Sequence, residues 1–450
     1  MNFVLSNLGP VRIIGPSLRS SKFFFHVEVY LNIFKRLKLS DLHSLMLACK
    51  TLKNLIKNDN TIWRPLARNE LMIDYSSLCK SQPNELWYNR CRTSYNWCHG
   101  YYKSKVVIHH YTNYMPWLTF HNSEILVISV GCELHCYPTN KKGSPNCREA
   151  LWKLDVPKIK RHDVRTNDIS RFVIKNNFLV CGNRDGCIAL YRVNNTKTRP
   201  WLQYHIQDCH ENGEAEVTAV EVIDGRSQLM VVSGSSDIYF GFSSQSDRKC
   251  RHNILVLISE FSISDVFNIS MYETAGTKCM ALNNAADKLA IGLNGNSKPL
   301  LLDVNNSRFL ITADATKNRK QAVRDIRWHN ENTIIYVTHS GILQLMDIRS
   351  HEVVYNTQDP FQSTFYCVKS DSQYGIVVGS AEYSRCVLFD SRNQKNHVQM
   401  YFTQRKSSPV YSLDFDPYQL ITAVDRGVGV LDFNVVAASE QQKDYSHIFH

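Results

Sequence analysis

The strongest constraint on the fold is a repeat in the C-terminal half of the chain. Each unit is a short strand, a turn, an apolar strand that ends in small residues, a second turn, and a strand that ends in Asp. The last four units end at Asp303, Asp347, Asp390 and Asp432, which stand 44, 43 and 42 residues apart. A period of roughly 40–45 residues with four strands per unit predicts a β-propeller.

Three earlier, more degenerate units extend this repeat toward the N-terminus. The seven predicted units are residues 111–138, 165–195, 215–259, 275–305, 321–350, 362–392 and 408–433. In the third of them, a polar insertion at 243–251 delays the last strand to Asn253–Ile258. The strand-like segment Lys105–His109 precedes the first unit. Because strand edges need a partner, we expect it to pair with the last unit and close the ring.

Before the repeat, the segment Phe25–Trp63 contains three short helical patterns. Their apolar faces are Val29, Ile33, Phe34 and Leu37; Leu42, Leu45, Met46 and Cys49; and Leu52, Leu55 and Ile56. Ser40 and Asp41 stand where an N-cap and a first-turn acid belong, and Asp59-Asn60 breaks the third pattern. Three helices in so short a segment bury little surface alone, so the segment must dock on the chain or on a partner.

Composition narrows the class of protein. The chain has 450 residues, of which 43% are hydrophobic and 21% charged, which is typical of a folded protein. A net charge of +11 is compatible with nucleic acid, an acidic membrane surface or an acidic protein partner. The 14 cysteines form no CxxC pair, and no signal peptide or membrane-spanning run is present. We therefore expect reduced thiols in a cytoplasmic or nuclear protein that binds no membrane.

The Phe25–Trp63 segment resembles an F-box, and the whole chain resembles F-box/WD-repeat proteins of the dactylin type. The propeller matches include MPW at 115–117, SGSSD at 233–237, STFYCV at 363–368 and GSAEYSRCVLFDSR at 379–392. Phe25-His26 stand where an F-box usually begins with Leu-Pro, and Leu52 stands at its mid-domain Trp. The resemblance implies an α plus all-β chain, in which a three-helix F-box-like domain precedes a helical linker and a seven-bladed WD-repeat β-propeller.

Five segments follow from the repeat and the resemblance together. They are a leader at 1–24, the F-box-like helical domain at 25–70, a helical linker at 71–104, the propeller at 105–435 and a C-terminal tail at 436–450. The linker is rich in aromatic and cationic residues. This mixture can stack single-stranded nucleic acid, but aromatic anchors at a domain joint, covered by long cationic side chains, explain it better.

The resemblance also implies the partners. An F-box docks on the adaptor of an SCF cullin-RING ubiquitin ligase and thereby reaches the cullin and RING subunits. In this chain the adaptor-binding residues would be Val29, Ile33, Phe34, Leu37, Leu42, Leu45 and Trp63. The propeller would hold an unidentified protein target, acidic or phosphorylated, for ubiquitination and degradation. Nucleic acid is disfavoured as a partner.

The target site is expected at one mouth of the propeller channel. Relatives that read phosphorylated segments use the residue after the first apolar residue of each inner strand and the residue before the turn Asp. The first set here is Ser170, Thr218, Met280, Arg324, Tyr366 and Tyr411. The second is Arg184, Ser236, Tyr383 and Arg426. Arginine forks would bind carboxylate or phosphate, and tyrosines would form rigid walls. An isolated Arg on a turn can equally be solvated charge.

Other conspicuous residues are expected to be structural. Asp185 and Asp237 should accept backbone hydrogen bonds in tight turns, and Gly182, Gly234 and Gly379 should allow close packing. Motifs for a nucleophile, a phosphate loop or a metal site are absent, so we expect no enzyme, no cofactor and no metal. Two alternatives remain. One is a WD-repeat scaffold for protein or RNA assembly. The other is a receptor of another cullin branch, through the Asp-x-Arg steps at 347–349 and 390–392.

Overall fold

The computed structural model describes two compact units. The described residues are 27–67, 71, 73, 86–109, 115–122, 124–140, 143–146, 148–162, 166–210, 213–224, 229–235, 253–259, 266–270, 276–311, 322–402, 407–425 and 427–435. The first unit holds residues 27–67 together with Leu86–Tyr88, and the second holds the remainder. We describe each unit by itself. The predicted leader and tail lie outside the described residues.

Short helices make up the first unit. They are α1 (Val27–Phe34), α2 (Leu39–Ala48), α3 (Lys50–Asn58) and α4 (Asn60–Ala67), and a later helix, α5 (Trp87–His99), begins at the residues that join this unit. The N-cap of α2 is Lys38, which makes no side-chain cap hydrogen bond. The prediction of Ser40 as N-cap was therefore wrong by two residues, although Asp41 does lie in the first turn. The expected break at Asp59-Asn60 is present, and α4 begins there.

The strands of the second unit form seven four-stranded antiparallel sheets. Sheet 1 is β2 (Leu118–His121), β3 (Ile125–Val130), β4 (Glu133–Pro138) and β5 (Trp152–Asp155); sheet 2 is β6 (Ile169–Lys175), β7 (Phe178–Asn183), β8 (Ile188–Arg192) and β9 (Trp201–Ile206); sheet 3 is β10 (Val217–Asp224), β11 (Leu229–Ser235), β12 (Asn253–Ser259) and β13 (Val266–Ser270). Sheet 4 is β14 (Thr277–Leu282), β15 (Lys288–Leu293), β16 (Leu300–Asp303) and β17 (Arg308–Ile311); sheet 5 is β18 (Val323–Asn330), β19 (Thr333–Thr338), β20 (Ile342–Asp347) and β21 (Glu352–Gln358). Sheet 6 is β22 (Phe365–Ser370), β23 (Gly375–Ser380), β24 (Arg385–Asp390) and β25 (Asn393–Tyr401); sheet 7 is β26 (Ser412–Phe415), β27 (Gln419–Val424), β28 (Gly427–Asp432) and β1 (Lys103–His109).

Contacts between the inner strands close these sheets into a ring. Each first strand contacts the first strand of the next sheet, and β26 of the last sheet contacts β2 of the first. A separate apolar cluster fills the space between each pair of neighbouring sheets. The cluster between sheets 7 and 1 joins Ile421 and Val430 to Leu118 and Leu126. The β-propeller predicted from the repeat is therefore confirmed.

An early strand of the chain closes this ring. The strand β1 pairs antiparallel with β28, so that Lys103 lies opposite Asp432 and His109 opposite Gly427. It is the outermost strand of sheet 7, which otherwise consists of the last three strands in the described part of the chain. This is the closure expected for Lys105–His109. Pairing residues so distant in sequence joins the two ends of the propeller and covers an edge that would otherwise be open.

The glycines predicted to allow close packing do so between neighbouring sheets. A Cβ on Gly182 would lie 2.6 Å from Val217 Cγ1, and one on Gly234 would lie 2.6 Å from Met280 Cε. A Cβ on Gly379 would lie 2.7 Å from Cγ1 of Val410, which precedes the first strand of sheet 7. Such contacts are too short for any side chain, so the inner strands can approach each other only because glycine stands at these positions.

The helix α5 anchors on sheet 7 of the propeller through its second half. The Trp97 ring stacks on Phe433, with ring centroids 3.7 Å apart, and its indole N–H donates to the Pro417 carbonyl at 2.9 Å. Asn96 donates to the carbonyls of Phe433 and Val435 at 2.8 and 2.9 Å. Trp97 is fully buried. The predicted helical connector is therefore present, and its main aromatic residue packs on the propeller.

The structure also bears on the cysteines and on membrane insertion. No disulfide joins the cysteines of the described residues, and seven of these thiols are buried. Burial raises the pKa of thiols such as Cys181 and Cys386, so they pack as small apolar groups. Within the described ranges, no helix has the length and apolar character needed to cross a bilayer.

Candidate functional site

One candidate site is an exposed apolar patch on the helical unit. Val29 and Ile33 stand one turn apart on α1, and 43% and 49% of their surfaces are exposed. Val27 on the same helix and Leu47 on α2 are more exposed still, at 52% and 73%. Exposed aliphatic side chains on so small a unit are typical of an interaction surface. We call Val29 and Ile33, which share one face of α1, the apolar patch.

The remaining residues predicted to bind the adaptor lie deeper in the helical unit. Leu37 and Leu45 are half-buried. Phe34, Leu42 and Trp63 are buried in this unit, and their role as direct contacts of an adaptor stays a prediction. The Trp63 indole N–H donates to the Ile56 carbonyl at 2.8 Å. The physical reason is that a unit of four short helices needs its largest side chains for its own core.

A β-bulge recurs at the start of five inner strands of the propeller. In each, the pairing register shifts across one residue, which is left between two paired neighbours. The bulged residues are Ser170, Thr218, Lys278, Arg324 and Tyr366. A bulge turns one side chain out of the regular alternation of the strand, which makes it a recurrent device at binding sites. These residues stand where the second strand of each sheet ends, at the mouth predicted from the sequence.

The bulges correct one of the predicted mouth residues. The residue of β14 that corresponds to Ser170 and Thr218 is Lys278, because the register shift lies between Thr277 and Cys279. Met280 is two residues further along the strand and is buried. Met280 was predicted because Cys279 is the first apolar residue of the strand. Thr277 is polar, although it is fully buried.

Two of the bulged residues connect neighbouring sheets. The Ser170 hydroxyl donates to the Gly182 carbonyl at 2.8 Å and also to the Val217 carbonyl of sheet 3. The Thr218 hydroxyl makes the same pair of contacts with Gly234 and Thr277, at 3.2 and 2.5 Å. These hydroxyls serve the packing of the ring and do not form a ligand site.

Arg324 and two tyrosines form a continuous cluster across sheets 5, 6 and 7. The Arg324 guanidinium lies over the Tyr366 ring, 5.3 Å from its centroid. The Tyr366 and Tyr411 rings meet edge to face at 5.5 Å. All three side chains are partly exposed. A cation beside two amphipathic rings can bind an acidic group together with apolar surface. We call Arg324, Tyr366 and Tyr411 the mouth cluster.

Hydrogen bonds fix both ends of the mouth cluster. The Arg324 Nε and Nη2 groups donate to His339 Nδ1 at 3.2 and 2.8 Å. Burial, followed by the charge of Arg324, lowers the pKa of His339, so the imidazole is the neutral acceptor that this geometry requires. At the other end, the Tyr411 hydroxyl donates to Asp425 at 2.7 Å. Burial and this hydrogen bond raise the pKa of Tyr411, which stays protonated.

Two further predicted mouth residues, Arg184 and Tyr383, make contacts of their own. Arg184 follows β7 in sheet 2, where its backbone N–H donates to the Asp168 carbonyl at 2.9 Å. Tyr383, in the turn of sheet 6, has a positive φ of 64° and packs edge to face on Phe361 at 6.4 Å. Phe361 is 49% exposed. Ser236 and Arg426 lie outside the described residues. The cluster therefore brings together three of the predicted positions.

The turn aspartate and the Asp-x-Arg steps are used within the chain. Asp185 is buried and accepts from the backbone N–H groups of Ile159 and Cys187, both at 3.1 Å, as its structural role predicts. Asp237 lies outside the described residues. Arg349 and Arg392 each pair with the Asp two residues before them at 2.6 Å. The Arg349 side chain is nevertheless 70% exposed.

Charged residues inside the channel were missed by the sequence reasoning. Arg171, Glu221, Asp325 and Arg327 stand on inner strands, one or three residues after the bulge position, and they line or brace a central cavity. The pattern VRDIRWHN in β18 carries a signal for them, because Arg324, Asp325 and Arg327 are three charged residues within one inner strand. In the described part of the chain, no cluster of three or more His, Cys, Asp or Glu is arranged to hold a metal ion.

Comparison with known proteins agrees with these two units. The family model described as F-box-like matches residues 27–69. F-box/WD repeat-containing protein 4 of Mus musculus is 24% identical over 414 residues, which cover 90% of this chain and 92% of the mouse protein. The Homo sapiens protein of the same name is 24% identical over 417 residues, covering 90% and 91%. The similarity thus extends over both the helical unit and the propeller.

Two solved structures overlap with a large part of the chain. The crystal structure of Saccharomyces cerevisiae Sqt1 covers 69% of this chain and 81% of its own, with 13% identity and a TM-score of 0.48. The computationally designed Ika8 protein covers 73% and 98%, with 14% identity and a TM-score of 0.47. The propeller fold itself rests on the strand order and ring contacts given above. The chain thus carries an F-box-like domain before a β-propeller, and its similarity to F-box/WD repeat-containing protein 4 is consistent with an F-box/WD-repeat protein.

Proposed function

We propose that this protein is the substrate-recognition subunit of an SCF-type ubiquitin ligase. The observation that carries the proposal is an F-box-like domain with an exposed apolar patch in the same chain as a propeller. The F-box-like domain binds the adaptor, and through it the cullin and RING subunits. The propeller binds a protein target for ubiquitination. The protein itself performs no catalysis in this role.

The apolar patch supplies the adaptor contact. Val29 and Ile33 present adjacent aliphatic side chains on α1. Burying side chains of this size against a partner contributes roughly 1–3 kcal/mol each before the costs of association. Phe34 and Trp63 act beneath the patch, since they hold the helices that present it.

The mouth cluster supplies the target contact. Two N–H groups of Arg324 donate hydrogen bonds to His339, which holds the guanidinium in place. Its remaining N–H groups can then donate to a ligand. Tyr366 and Tyr411 provide rigid rings beside it. This combination favours an acidic target segment with an adjacent apolar side chain. A single arginine suits a carboxylate as well as a phosphate, so both an acidic and a phosphorylated target fit.

The ligase role requires only that two partners are held together. The adaptor at one unit and the target at the other place the target near the ubiquitin-loaded enzyme, which raises its effective concentration. Binding energy, and not bond chemistry at this chain, then increases the rate of ubiquitin transfer.

Co-purification of the full chain with the SCF adaptor tests the first half of the proposal. We expect the wild-type chain to recover the adaptor and Ile33→Asp to lose it, because a carboxylate would be buried in the contact. The matched control is Asn32→Asp, which adds the same charge to the neighbouring exposed position of α1. Equal recovery by all three chains, or no adaptor with the wild type, would refute the adaptor role.

A target captured by the wild-type chain tests the second half. Arg324→Met should weaken target binding at least tenfold, since it removes a charged hydrogen-bond donor, while adaptor recovery stays at the wild-type level. Loss of both partners together would show misfolding, and the circular dichroism spectrum of the variant checks this directly. Undiminished target binding by a folded Arg324→Met chain would exclude the mouth cluster as the site.

The same co-purification separates the alternative functions. If the chain recovers the propeller adaptor of another cullin branch and Arg349→Ala loses it, the chain is a receptor of that branch that binds through its Asp-x-Arg steps. The exposed Arg349 side chain supports this alternative. Salt-sensitive RNA retention without any adaptor would favour a scaffold for RNA assembly. The fully buried Trp97 is unavailable for stacking on bases, which argues against the linker as an RNA site.

A further inference from the structure

A cavity of about 140 Å³ lies in the propeller channel, among the inner strands of sheets 1 to 5. Val173, Ala219 and Met280 contribute apolar surface to one part of its wall. The charged side chains that line it are Arg171, Glu221 and Arg327, and Trp117 provides an aromatic face. The cavity thus combines an apolar part with two cations and one acid that converge on it, and convergent polar groups of this kind are typical of small-molecule sites.

The two arginines converge on the same indole ring from different sheets. The Arg171 guanidinium lies 3.5 Å from the centroid of Trp117, and that of Arg327 lies 5.5 Å from it. Arg171 belongs to sheet 2, Arg327 to sheet 5 and Trp117 to sheet 1. The ring closure of the propeller therefore builds this arrangement, because no two of these residues are neighbours in sequence.

Asp325 is the carboxylate within ion-pair distance of both arginines, and Glu221 and Asp414 act on Arg327 by their charges as well. Asp325 Oδ1 lies 3.5 Å from Arg171 Nη1, and Asp325 Oδ2 lies 3.8 Å from Arg327 Nε. Charge-assisted N–H···O hydrogen bonds are usually about 2.7–2.9 Å long. The same Oδ2 also accepts from the Val368 backbone N–H at 3.0 Å. The two guanidinium groups thus share a carboxylate that is distant from both and already accepts a backbone hydrogen bond. Their N–H groups can therefore donate to a further anion.

Glu221 completes the polar part of the cavity. It is 8% exposed, and burial raises the pKa of its carboxyl to about 7, against the opposing effects of Arg327 on β18 and Lys175 on β6. Near neutral pH, a large share of the molecules therefore carries a protonated Glu221. A protonated carboxyl can donate one hydrogen bond, which suits an anionic oxygen.

We propose that this cavity binds a carboxylate on a short aliphatic stem, held between Arg171 and Arg327 beside Glu221, with the stem against the apolar wall. A planar carboxylate matches the guanidinium fork, and a single negative charge is tolerated near Asp325 better than the two charges of phosphate. The proposal goes beyond the ligase role and does not depend on it, because it concerns the channel and neither the mouth cluster nor the helical unit.

The cavity volume limits the ligand. It is close to the roughly 150 Å³ of a cavity that holds benzene, so we expect a ligand of about six heavy atoms. Ligands this small bind with dissociation constants on the order of 1 mM. Butyrate has the required charge and stem, and butyramide is its neutral counterpart of nearly the same shape.

Titration of the full chain with sodium butyrate, followed by NMR or calorimetry near pH 6, tests the proposal. We expect saturable binding of butyrate and at least tenfold weaker binding of butyramide. Arg327→Met should lose butyrate, and Arg192→Met, which removes an exposed arginine outside the cavity, should keep it. If Arg327→Met does not fold, Arg327→Lys replaces it and should bind several-fold more weakly, because lysine lacks the planar fork.

The pH dependence provides a second readout. Because the protonated form of Glu221 favours the anion, butyrate affinity should rise roughly tenfold from pH 8 to pH 6. Glu221→Gln keeps a hydrogen-bond donor without a titrating proton, so its affinity should stay nearly constant over this range. A pH dependence that persists in Glu221→Gln would show that another group controls binding and would overturn the assigned role of Glu221.

Two sources can present such a carboxylate, namely a free organic acid or a glutamate side chain of a bound protein. Butyrate binding without binding of the peptide acetyl-Ala-Glu-Ala-amide would identify a free acid as the ligand. Binding of that peptide, with rejection of its Gln counterpart, would identify an acidic side chain. Absence of saturable binding of both probes below about 50 mM, or equal binding by wild type and Arg327→Met, would overturn the proposal.

Discussion

Replacing Glu221 by Gln should make the propeller more stable at alkaline pH. Glu221 is buried among the inner strands, and burial raises the pKa of its carboxyl from about 4.5 to about 7. At a pH between these two values, Glu221 is protonated in the folded protein and ionised in the unfolded chain. Stability from this group is therefore fully present at low pH and is lost as pH rises through 7. Glutamine has no proton to lose, so the variant lacks this pH dependence.

The two pKa values set the size of the effect. For a single group with these values, the contribution to the free energy of unfolding is about 2 kcal/mol larger near pH 5.5 than near pH 8. From pH 5.5 to pH 8, the wild type should therefore lose about 2 kcal/mol of unfolding free energy relative to Glu221→Gln. The origin of this shift is the desolvation of an ionised carboxylate, since burial is the largest influence on Glu221.

Urea unfolding followed by tryptophan fluorescence at the two pH values measures this shift. Glu214→Gln is the matched control, because Glu214 is an exposed residue just before the same strand, and its substitution should leave the pH dependence unchanged. An unfolding free-energy difference between Glu221→Gln and wild type that is the same at both pH values would refute the reasoning. It would mean that Glu221 stays ionised in the folded protein throughout this range.

Three further substitutions test the packing and the mouth cluster. Gly182→Val should destabilise the propeller by about 1–3 kcal/mol in thermal unfolding, because any Cβ would meet Val217. Trp97→Ala should cost about 3–5 kcal/mol, since it removes a fully buried ring that stacks on Phe433, and hydrogen exchange should rise in α5. Tyr411→Phe removes one hydrogen bond but keeps the ring, so stability should fall by only about 1 kcal/mol while target binding persists.

The propeller could be predicted because the same local sequence features recur in successive units. Each unit needs apolar strands separated by turns and small residues where sheets pack together, and these features recur along the sequence. The late strand of sheet 3 was predicted from Asn253, where it does begin. The closing strand β1 was predicted as well, since a strand-like segment without a partner had one open edge to fill.

The candidate sites were less predictable because they depend on register. Lys278 could not be distinguished from Met280 without knowing that Thr277 is a buried, paired residue of the strand. Similarly, Phe34 shares a helical pattern with the exposed residues Val29 and Ile33, and only the packing of the helices decides which of them face inward. An amphipathic pattern predicts a face, but it does not show whether that face covers a core or meets a partner.

The sequence predicted three helices for the F-box-like domain, where the structure has four, α1 to α4. By itself, it determined the repeat of the propeller, the closed ring and the resemblance to F-box/WD-repeat proteins. Each of these depends on local periodicity, which neighbouring residues encode directly. Only the tertiary structure decided that Arg324, Tyr366 and Tyr411 form one cluster and that Arg171 and Arg327 meet over Trp117. The physical reason is that a propeller brings inner strands from distant units to one axis, where side chains far apart in the chain share a single channel.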